Sequence, residues 1–126
     1  MSSEFLVVRA GASLHAVLLP HIVEVVRPPP CAALPRVPSY LLGAAQFRAE
    51  VIPVIELAGR LGLLPDAPSG KARVVVVRAT AGRAGLWVGE VVGVWRGFEP
   101  HDGVLSRGDA CAALLDLERV VDWRAG

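Results

Sequence analysis

Short runs rich in β-branched residues recur along the chain, and each is followed by a turn of small residues. Phe5 to Arg9 and Arg73 to Arg78 are the clearest examples, since glycine, alanine, serine or threonine follows both. Such runs are typical of β-strands joined by tight turns. Leu41 to Phe47 and Val51 to Ile55 flank a three-residue turn and form a further hairpin candidate. The pattern predicts a mainly β chain.

Helical signals are brief. Glu56 to Leu61 and Asp116 to Trp123 each open with an acidic residue, which suits a helix N-terminus because the free backbone N–H groups there attract negative charge. Pro28-Pro29-Pro30 predicts an extended edge or a loop, because proline lacks a backbone donor. Strands this closely spaced leave no room for the crossover helices of a parallel sheet. We therefore predict small barrels and a short C-terminal helix.

The chain also repeats itself. Residues 5–27 align with residues 74–96 without a gap, and eight of the 23 positions are identical. A second correspondence sets residues 51–57 beside residues 111–117, with an offset of 60 instead of 69 positions. Each copy therefore opens with two strands and closes with a strand that runs into a short helix. The second copy is nine residues shorter in its middle.

These patterns predict a single domain, 1–126, built from two similar units. We assign residues 5–63 to a first barrel and residues 72–123 to a shortened second barrel, with 64–71 as a connector rich in proline, glycine and serine. A unit of about 60 residues buries only about 60% of the surface that its unfolded chain exposes. The two units should therefore share an interface, with a groove lined from both sides.

Composition favours a protein that works within an assembly. Hydrophobic residues make up 53% of the chain, and the mean hydropathy of +0.49 is high enough to suggest apolar surface covered by partners. Thirteen basic and twelve acidic side chains leave a net charge of +1, which gives no reason to expect nucleic acid as a partner. Without a basic leader or an apolar stretch of about 18 residues, we expect a cytoplasmic protein that does not insert into membranes.

The sequence contains no recognisable metal or catalytic motif. Cys31 and Cys111 lie far apart without a C-x-x-C pair, and we expect two reduced, largely buried thiols. His15, His21 and His101 share no metal-ligand spacing. The acidic residues are scattered, and neither a nucleophile elbow nor an H-E-x-x-H motif accompanies them. We therefore predict a binding module that is not an enzyme and needs no cofactor or metal.

Several segments resemble the CheW-type coupling proteins of bacterial chemosensory complexes and the related domain that ends the kinase CheA. The likeness begins at Glu4 to Val7 and returns at Ile22 to Arg27. It is most specific over Tyr40 to Leu57, where the family pattern is roughly G-h-h-N-L-R-G-x-h-h-P-h-h-D-L, with h apolar. Gly108 to Arg119 resembles the closing strand and helix of the family. The resemblance covers nearly the whole chain and implies two five-stranded, SH3-like barrels side by side.

The sequence also departs from the family pattern. Gln46 stands where Asn is usual and Ala49 where Gly is usual, whereas Arg48 is retained. Gly97 to Arg107 is shorter than the family norm. We therefore expect the second barrel to lack a strand or a long loop.

The resemblance implies partners as well. In the family, the helical hairpin at a chemoreceptor tip lies in the apolar groove between the barrels, and the CheW-like domain of the kinase packs against barrel faces. Carried over by position, the predicted receptor-binding residues are Ile22, Gly43, Arg48, Val91 and Val92. Glu24 is the predicted kinase-facing charge.

Other roles for these side chains stay open. The planar guanidinium of Arg48 suits a carboxylate or carbonyls on a partner helix, but it equally suits internal carbonyls that would pin its own barrel. Glu24 also fits a solvated edge charge that discourages strand aggregation. Trp87 and Trp95 fit core packing better than a contact patch.

Four functions remain as hypotheses. The first is a non-catalytic adaptor that couples a chemoreceptor tip to a CheA-type histidine kinase. The second is a related adaptor that binds the receptor but has lost or weakened kinase binding through its shortened second barrel. Outside the family, the third is a small β-barrel that binds single-stranded nucleic acid. The fourth is an enzyme for which no residue set can be named.

Overall fold

The structure, a computed structural model, describes residues 3–125. Within them the chain forms ten strands, two short α-helices and two 3-10 segments. The strands are β1 (Ser3–Ala10), β2 (Ser13–Leu18), β3 (Ile22–Val26), β4 (Leu41–Phe47), β5 (Glu50–Glu56), β6 (Arg73–Ala79), β7 (Gly82–Val88), β8 (Glu90–Phe98), β9 (Val104–Arg107) and β10 (Ala110–Leu114). The helices are α1 (Leu57–Arg60) and α2 (Leu117–Val121), and the 3-10 segments span Leu19–His21 and Trp123–Ala125. The predicted mainly β architecture is confirmed.

The strands form two five-stranded sheets that each draw on both halves of the chain. Sheet A has the order β8-β1-β2-β10-β9, and sheet B has the order β3-β6-β7-β5-β4. The prediction that residues 5–63 and 72–123 form separate barrels is therefore wrong. The 3-10 segment Leu19–His21 follows β2 directly, and the chain then enters sheet B, where β3 pairs with β6. On its other side, β1 pairs with β8, which belongs to the second half of the chain.

The internal repeat is visible in the strand pairing. When each strand of sheet A is replaced by its equivalent in the other repeat, β1 by β6, β2 by β7 and so on, the order of sheet B results. Ile22 and Glu24 of β3 pair with consecutive residues of β6, so Val23 between them is the extra residue of a β-bulge. Val92 of β8 is the extra residue opposite β1 in the same way. The two bulges lie 69 positions apart, which is the offset of the sequence repeat.

Three apolar clusters hold the sheets together. One lies inside each sheet and draws side chains from all five of its strands, so we call the sheets barrel A and barrel B. The third, the central core, lies between the barrels and includes α1 and α2. In β6, Val74 and Val76 enter barrel B, whereas Val75 and Val77 enter the central core. Alternation along the strand therefore explains why four consecutive valines are all buried.

The second barrel was expected to lack a strand or a long loop; both sheets contain five strands, so no strand is missing and the loop is the shortened part. The strand in question, β9, has four residues, and Leu105 is the buried one. A strand with one inward side chain shows too little alternation to be recognised in a sequence. The shortening lies in the connection before β9. Residues 99–103 join β8 to β9, whereas the longer segment 27–40 joins the equivalent strands β3 and β4.

Both helices begin at the acidic residues that the sequence indicated. Glu56 accepts a hydrogen bond from the backbone N–H of Gly59 at 2.7 Å, and Asp116 accepts one from that of Arg119 at 3.3 Å. In the described part of the chain, no helix is long and apolar enough to cross a membrane.

Candidate functional site

The hairpin of β4 and β5 presents Arg48 at one end of barrel B. Phe47 pairs with Glu50 across a two-residue turn, and Arg48 in this turn has a left-handed φ of 55°. The Gln46 side chain donates a hydrogen bond to the Arg48 carbonyl at 3.1 Å. Gln46, which replaces the usual Asn of the family pattern, thus braces the turn that carries the arginine.

Arg48 forms an ion pair with Glu24, in which Nη2 donates to Oε1. Glu24 lies on β3 and Arg48 directly follows β4, and these are the two edge strands of sheet B. The ion pair therefore bridges the first and last strands of the barrel. The Arg48 side chain is 67% exposed and that of Glu24 is 38% exposed, so both charges are accessible to a partner.

A cavity of about 250 Å³ opens beside this ion pair. Side chains of the barrel B interior form its apolar walls, among them Phe47, Ile52 and Val74. The Arg48 guanidinium lies 5.3 Å from the centroid of the Phe47 ring, within the range of a cation–π contact. We call Glu24, Arg48 and this cavity the barrel B mouth. It offers a partner both charge and apolar surface.

A second surface lies where β3 and β8 border the central core. Val25 pairs with Val75, and Val94 pairs with Leu6. Directly opposed residues of antiparallel strands project from the same face. Because Val75 and Leu6 lie in the central core, Val25 and Val94 face the gap between the barrels. These two valines are 39% and 38% exposed.

Ile22 and Val91 occupy equivalent positions on the same two strands, and both pack against the central core. We call these two residues together with Val25 and Val94, which border the central core on one edge strand of each sheet, the inter-barrel rim. The sequence analysis named Ile22 and Val91 but missed the other two. Val25 and Val94 could have been found from the internal repeat, because its offset of 69 positions aligns one with the other. Val92, the bulge residue, lies beside the rim and is 47% exposed.

Gly43 is buried in β4, where its φ is 139°. A Cβ at this position would lie 2.2 Å from the carbonyl oxygen of Ala32. Ala32 and Ala44 exchange backbone hydrogen bonds of 2.8 and 2.9 Å, which hold the segment 27–40 against β4. The structure thus gives Gly43 a backbone role, and its receptor-binding role stays a prediction.

The predicted receptor residues do not lie on one surface. Ile22, Val91 and Val92 belong to the rim or lie beside it, whereas Arg48 is paired with Glu24, the predicted kinase-facing residue. The structure thus distributes these residues between the rim and the mouth, and their receptor-binding and kinase-facing roles stay predictions.

Other reactive side chains are dispersed. Among residues 3–125, no three His, Cys, Asp or Glu side chains lie close enough together to hold a metal ion. Burial lowers the pKa of His15 and raises that of the Cys31 thiol, because a desolvated site favours the neutral form. Cys111 is exposed, which corrects the expectation of two largely buried thiols. Trp95 lies inside barrel A, as core packing predicted.

Comparison with known proteins agrees with this architecture. Among solved structures, the crystal structure of the scaffolding protein TtCheW from Thermoanaerobacter tengcongensis superimposes with a TM-score of 0.87 at 23% identity, covering 97% of this chain and 94% of that one. That likeness shows the fold: two adjoining β subdomains.

Sequence relatives point in the same direction. A "Probable chemotaxis protein CheW" of Rhizobium etli is 32% identical over 88 residues, which are 70% of this chain and 57% of that protein. A "Chemotaxis protein CheW" of Helicobacter pylori is 31% identical over 78 residues, or 62% of this chain and 47% of that protein. The chain thus spans about half the length of these curated relatives. The family model described as "CheW-like domain" matches residues 4–99. This chain belongs to the family of CheW-like domains.

Proposed function

We propose that the protein is a non-catalytic adaptor that couples a chemoreceptor tip to a CheA-type histidine kinase. The observation that carries this proposal is that β3 presents different surfaces on its two faces, with Val25 on the inter-barrel rim and Glu24 at the barrel B mouth. A coupling protein needs two surfaces that can be occupied at the same time. It would act in the cytoplasm, within clusters of receptors.

The inter-barrel rim suits a helical partner. Its four β-branched side chains lie on one edge strand of each sheet beside the apolar central core, and an amphipathic helix can lay its apolar face into a groove lined in this way. The chemoreceptor tip, a helical hairpin, is the partner that the family resemblance implies. We therefore assign the receptor to Ile22, Val25, Val91 and Val94, with Val92 beside them.

The barrel B mouth suits the kinase. Because Arg48 is paired with Glu24, the two charges act as one polar site, and we assign both to the CheW-like domain of the kinase. This assignment moves Arg48 out of the receptor-binding set. An exposed pair of opposite charges favours recognition by complementary charges on a partner and sets its orientation.

Pull-downs with a receptor-tip fragment and with the kinase's CheW-like domain test the proposal. The double variant V25K/V94K should weaken receptor capture by about tenfold or more, because charge would enter an apolar interface core, and kinase capture should be unchanged. Val104→Lys is the matched control, since Val104 is equally exposed at 37% but lies on β9 at the far edge of sheet A. If the unaltered protein captures neither bait, the adaptor function is refuted.

The alternative adaptor without kinase binding rested on the shortened second unit, and the shortening lies in the connection 99–103 between β8 and β9. Sheet A has its five strands, and the barrel B mouth belongs to the complete sheet B. No observation now favours that alternative. The net charge of +1 likewise gives no support to the hypothesis of nucleic-acid binding.

A further inference from the structure

Two arginines lie opposite each other in the hairpin of β6 and β7, beside the barrel B mouth. Arg78 pairs directly with Arg83, and opposed side chains of antiparallel strands project from the same face with their Cβ atoms about 5 Å apart. Val76, two residues before Arg78, lines the mouth cavity. Because alternate residues of a strand share a face, both arginines lie on the face of sheet B that lines the mouth.

Neither guanidinium has a partner in the part of the chain that the structure describes. The side chains of Arg78 and Arg83 form no hydrogen bond and no ion pair with any of residues 3–125. Like charges placed directly opposite each other destabilise a strand pair. An anion between the two guanidinium groups would remove this repulsion.

The first repeat contains a filled counterpart of this site. The offset of 69 positions aligns Arg78 with Arg9, and the Arg9 guanidinium donates to Asp66 Oδ1 at 2.8 Å. The same offset aligns Arg83 with Leu14. The first repeat therefore has one arginine with a carboxylate where the second has two arginines without one. The counterpart indicates a carboxylate as the ligand of Arg78.

The acid that serves the turn between β6 and β7 does not take this place. Glu118 accepts from the Thr80 N–H at 3.0 and 3.1 Å and from the Thr80 hydroxyl at 3.0 Å. Thr80 is the counterpart of Gly11, whose N–H donates to Asp66 in the first repeat. The second repeat thus satisfies its turn with a different acid and leaves the Arg78 side chain open to a partner.

The charges around the barrel B mouth are predominantly positive. Glu50 pairs directly with Phe47, which lies inside the barrel, and Arg27 lines the mouth cavity. Two glutamates are thus set against four arginines, which are Glu24 and Glu50 against Arg27, Arg48, Arg78 and Arg83. Such a surface attracts an acidic segment and repels a basic one.

We propose that Arg78 and Arg83 form a clamp for a carboxylate group of an acidic partner segment. The two carboxylate oxygens accept charge-assisted hydrogen bonds from the two guanidinium groups. The bound anion also removes the repulsion between the arginines. Because the clamp adjoins the barrel B mouth, we assign the acidic segment to the kinase, and this assignment rests on the proposed function.

NMR titration of the full chain with N-acetyl-tetra-aspartate amide tests the clamp, with the corresponding tetra-asparagine peptide as the neutral control. We expect saturable shifts at the Thr80 amide and at the Nε–H groups of Arg78 and Arg83 with the acidic peptide only. Equal shifts with the neutral peptide, or no saturable shift at these groups, would overturn the proposal. Tighter binding of inorganic phosphate at the same ionic strength would overturn the choice of a carboxylate.

Arg83→Leu is the decisive variant, because it introduces the residue that the first repeat has at Leu14. Peptide affinity should fall about threefold or more, and stability should not fall, because the repulsion is removed. Lys71→Leu removes an equal charge from an exposed position of the connector and should leave binding unchanged. Peptide binding that is unchanged in both Arg78→Leu and Arg83→Leu would refute the clamp.

Kinase pull-downs with the double variant R78L/R83L test the assignment of the segment. We expect weaker capture than with the unaltered chain. Undiminished capture, in a protein whose clamp binds the acidic peptide, would show that the segment does not belong to the kinase. If the unaltered chain captures no kinase, the proposed function fails, while the peptide titration still decides whether the clamp exists.

Discussion

Arg48 and Glu24 are 24 residues apart in the chain, yet their ion pair joins the two edge strands of sheet B. The pair therefore closes the barrel at the surface that we assign to the kinase. Because both side chains are largely or partly in solvent, the pair contributes little to folding. The proposed role of the pair is therefore recognition of the kinase.

Reversing the arginine should separate these two roles. Arg48→Glu places two carboxylates together and should weaken kinase capture about tenfold or more, while the free energy of unfolding changes by no more than about 1 kcal/mol. Urea unfolding and the kinase pull-down measure the two effects. The exchanged pair R48E/E24R restores the bridge, and we expect it to recover stability but not kinase capture. Full recovery of capture would indicate that the bridge matters and the individual charges do not.

Gly43 should be intolerant of any side chain. Gly43→Ala brings a Cβ to 2.2 Å from the Ala32 carbonyl oxygen, and we expect a loss of about 2 kcal/mol or more in the free energy of unfolding. Gly82→Ala is the matched control, because Gly82 has a similar φ of 126° but nothing within 4 Å of the added Cβ. If both variants lose the same stability in urea, backbone strain is responsible and the contact with Ala32 is not.

Two ion pairs of similar geometry should differ in their contribution to stability. Asp66 is 9% exposed and bonds both Arg9 and the Gly11 N–H, whereas Glu4 is 47% exposed and meets Arg96 at 2.7 Å. Asp66→Ala leaves two donors without their acceptor, and we expect it to cost about 1–3 kcal/mol. Glu4→Ala should change stability by about 0.5 kcal/mol or less. Thermal unfolding of both variants at one pH makes the comparison, and equal losses would contradict it.

His15 should make the fold sensitive to mild acid. Burial holds its pKa in the folded chain below the ordinary value of about 6.5. The unfolded chain therefore binds the proton more readily, and stability declines as the pH falls below about 6.5. His15→Gln should lessen this decline, which urea unfolding at a series of pH values measures. An identical pH dependence in the variant would assign the effect to other groups.

Local features of the fold followed from the sequence. Valine-rich runs became β1 and β6, and the acidic residues Glu56 and Asp116 cap the helices. The exchange of strands between sheets was missed, because periodicity reports which faces of a strand are buried and not which strand lies beside it. The Arg48–Glu24 pair was missed for the same reason, since it depends on which strands become the two edges of sheet B.

The sequence analysis named only two of the four residues of the inter-barrel rim. Ile22 and Val91 came from family resemblance, whereas Val25 and Val94 needed the strand register, which shows that they share a face with central-core residues.

The exchange of strands between the two sheets also bears on the origin of the protein. Each sheet consists of the opening hairpin of one repeat and the three closing strands of the other. A half-length ancestor with a single repeat could complete such a sheet only by borrowing three strands from a second copy of itself. The duplication would then have fused an obligate, two-fold symmetric dimer into one polypeptide. After fusion β3 and β8, the two edge strands that border the gap between the barrels, no longer had to be identical and were free to diverge.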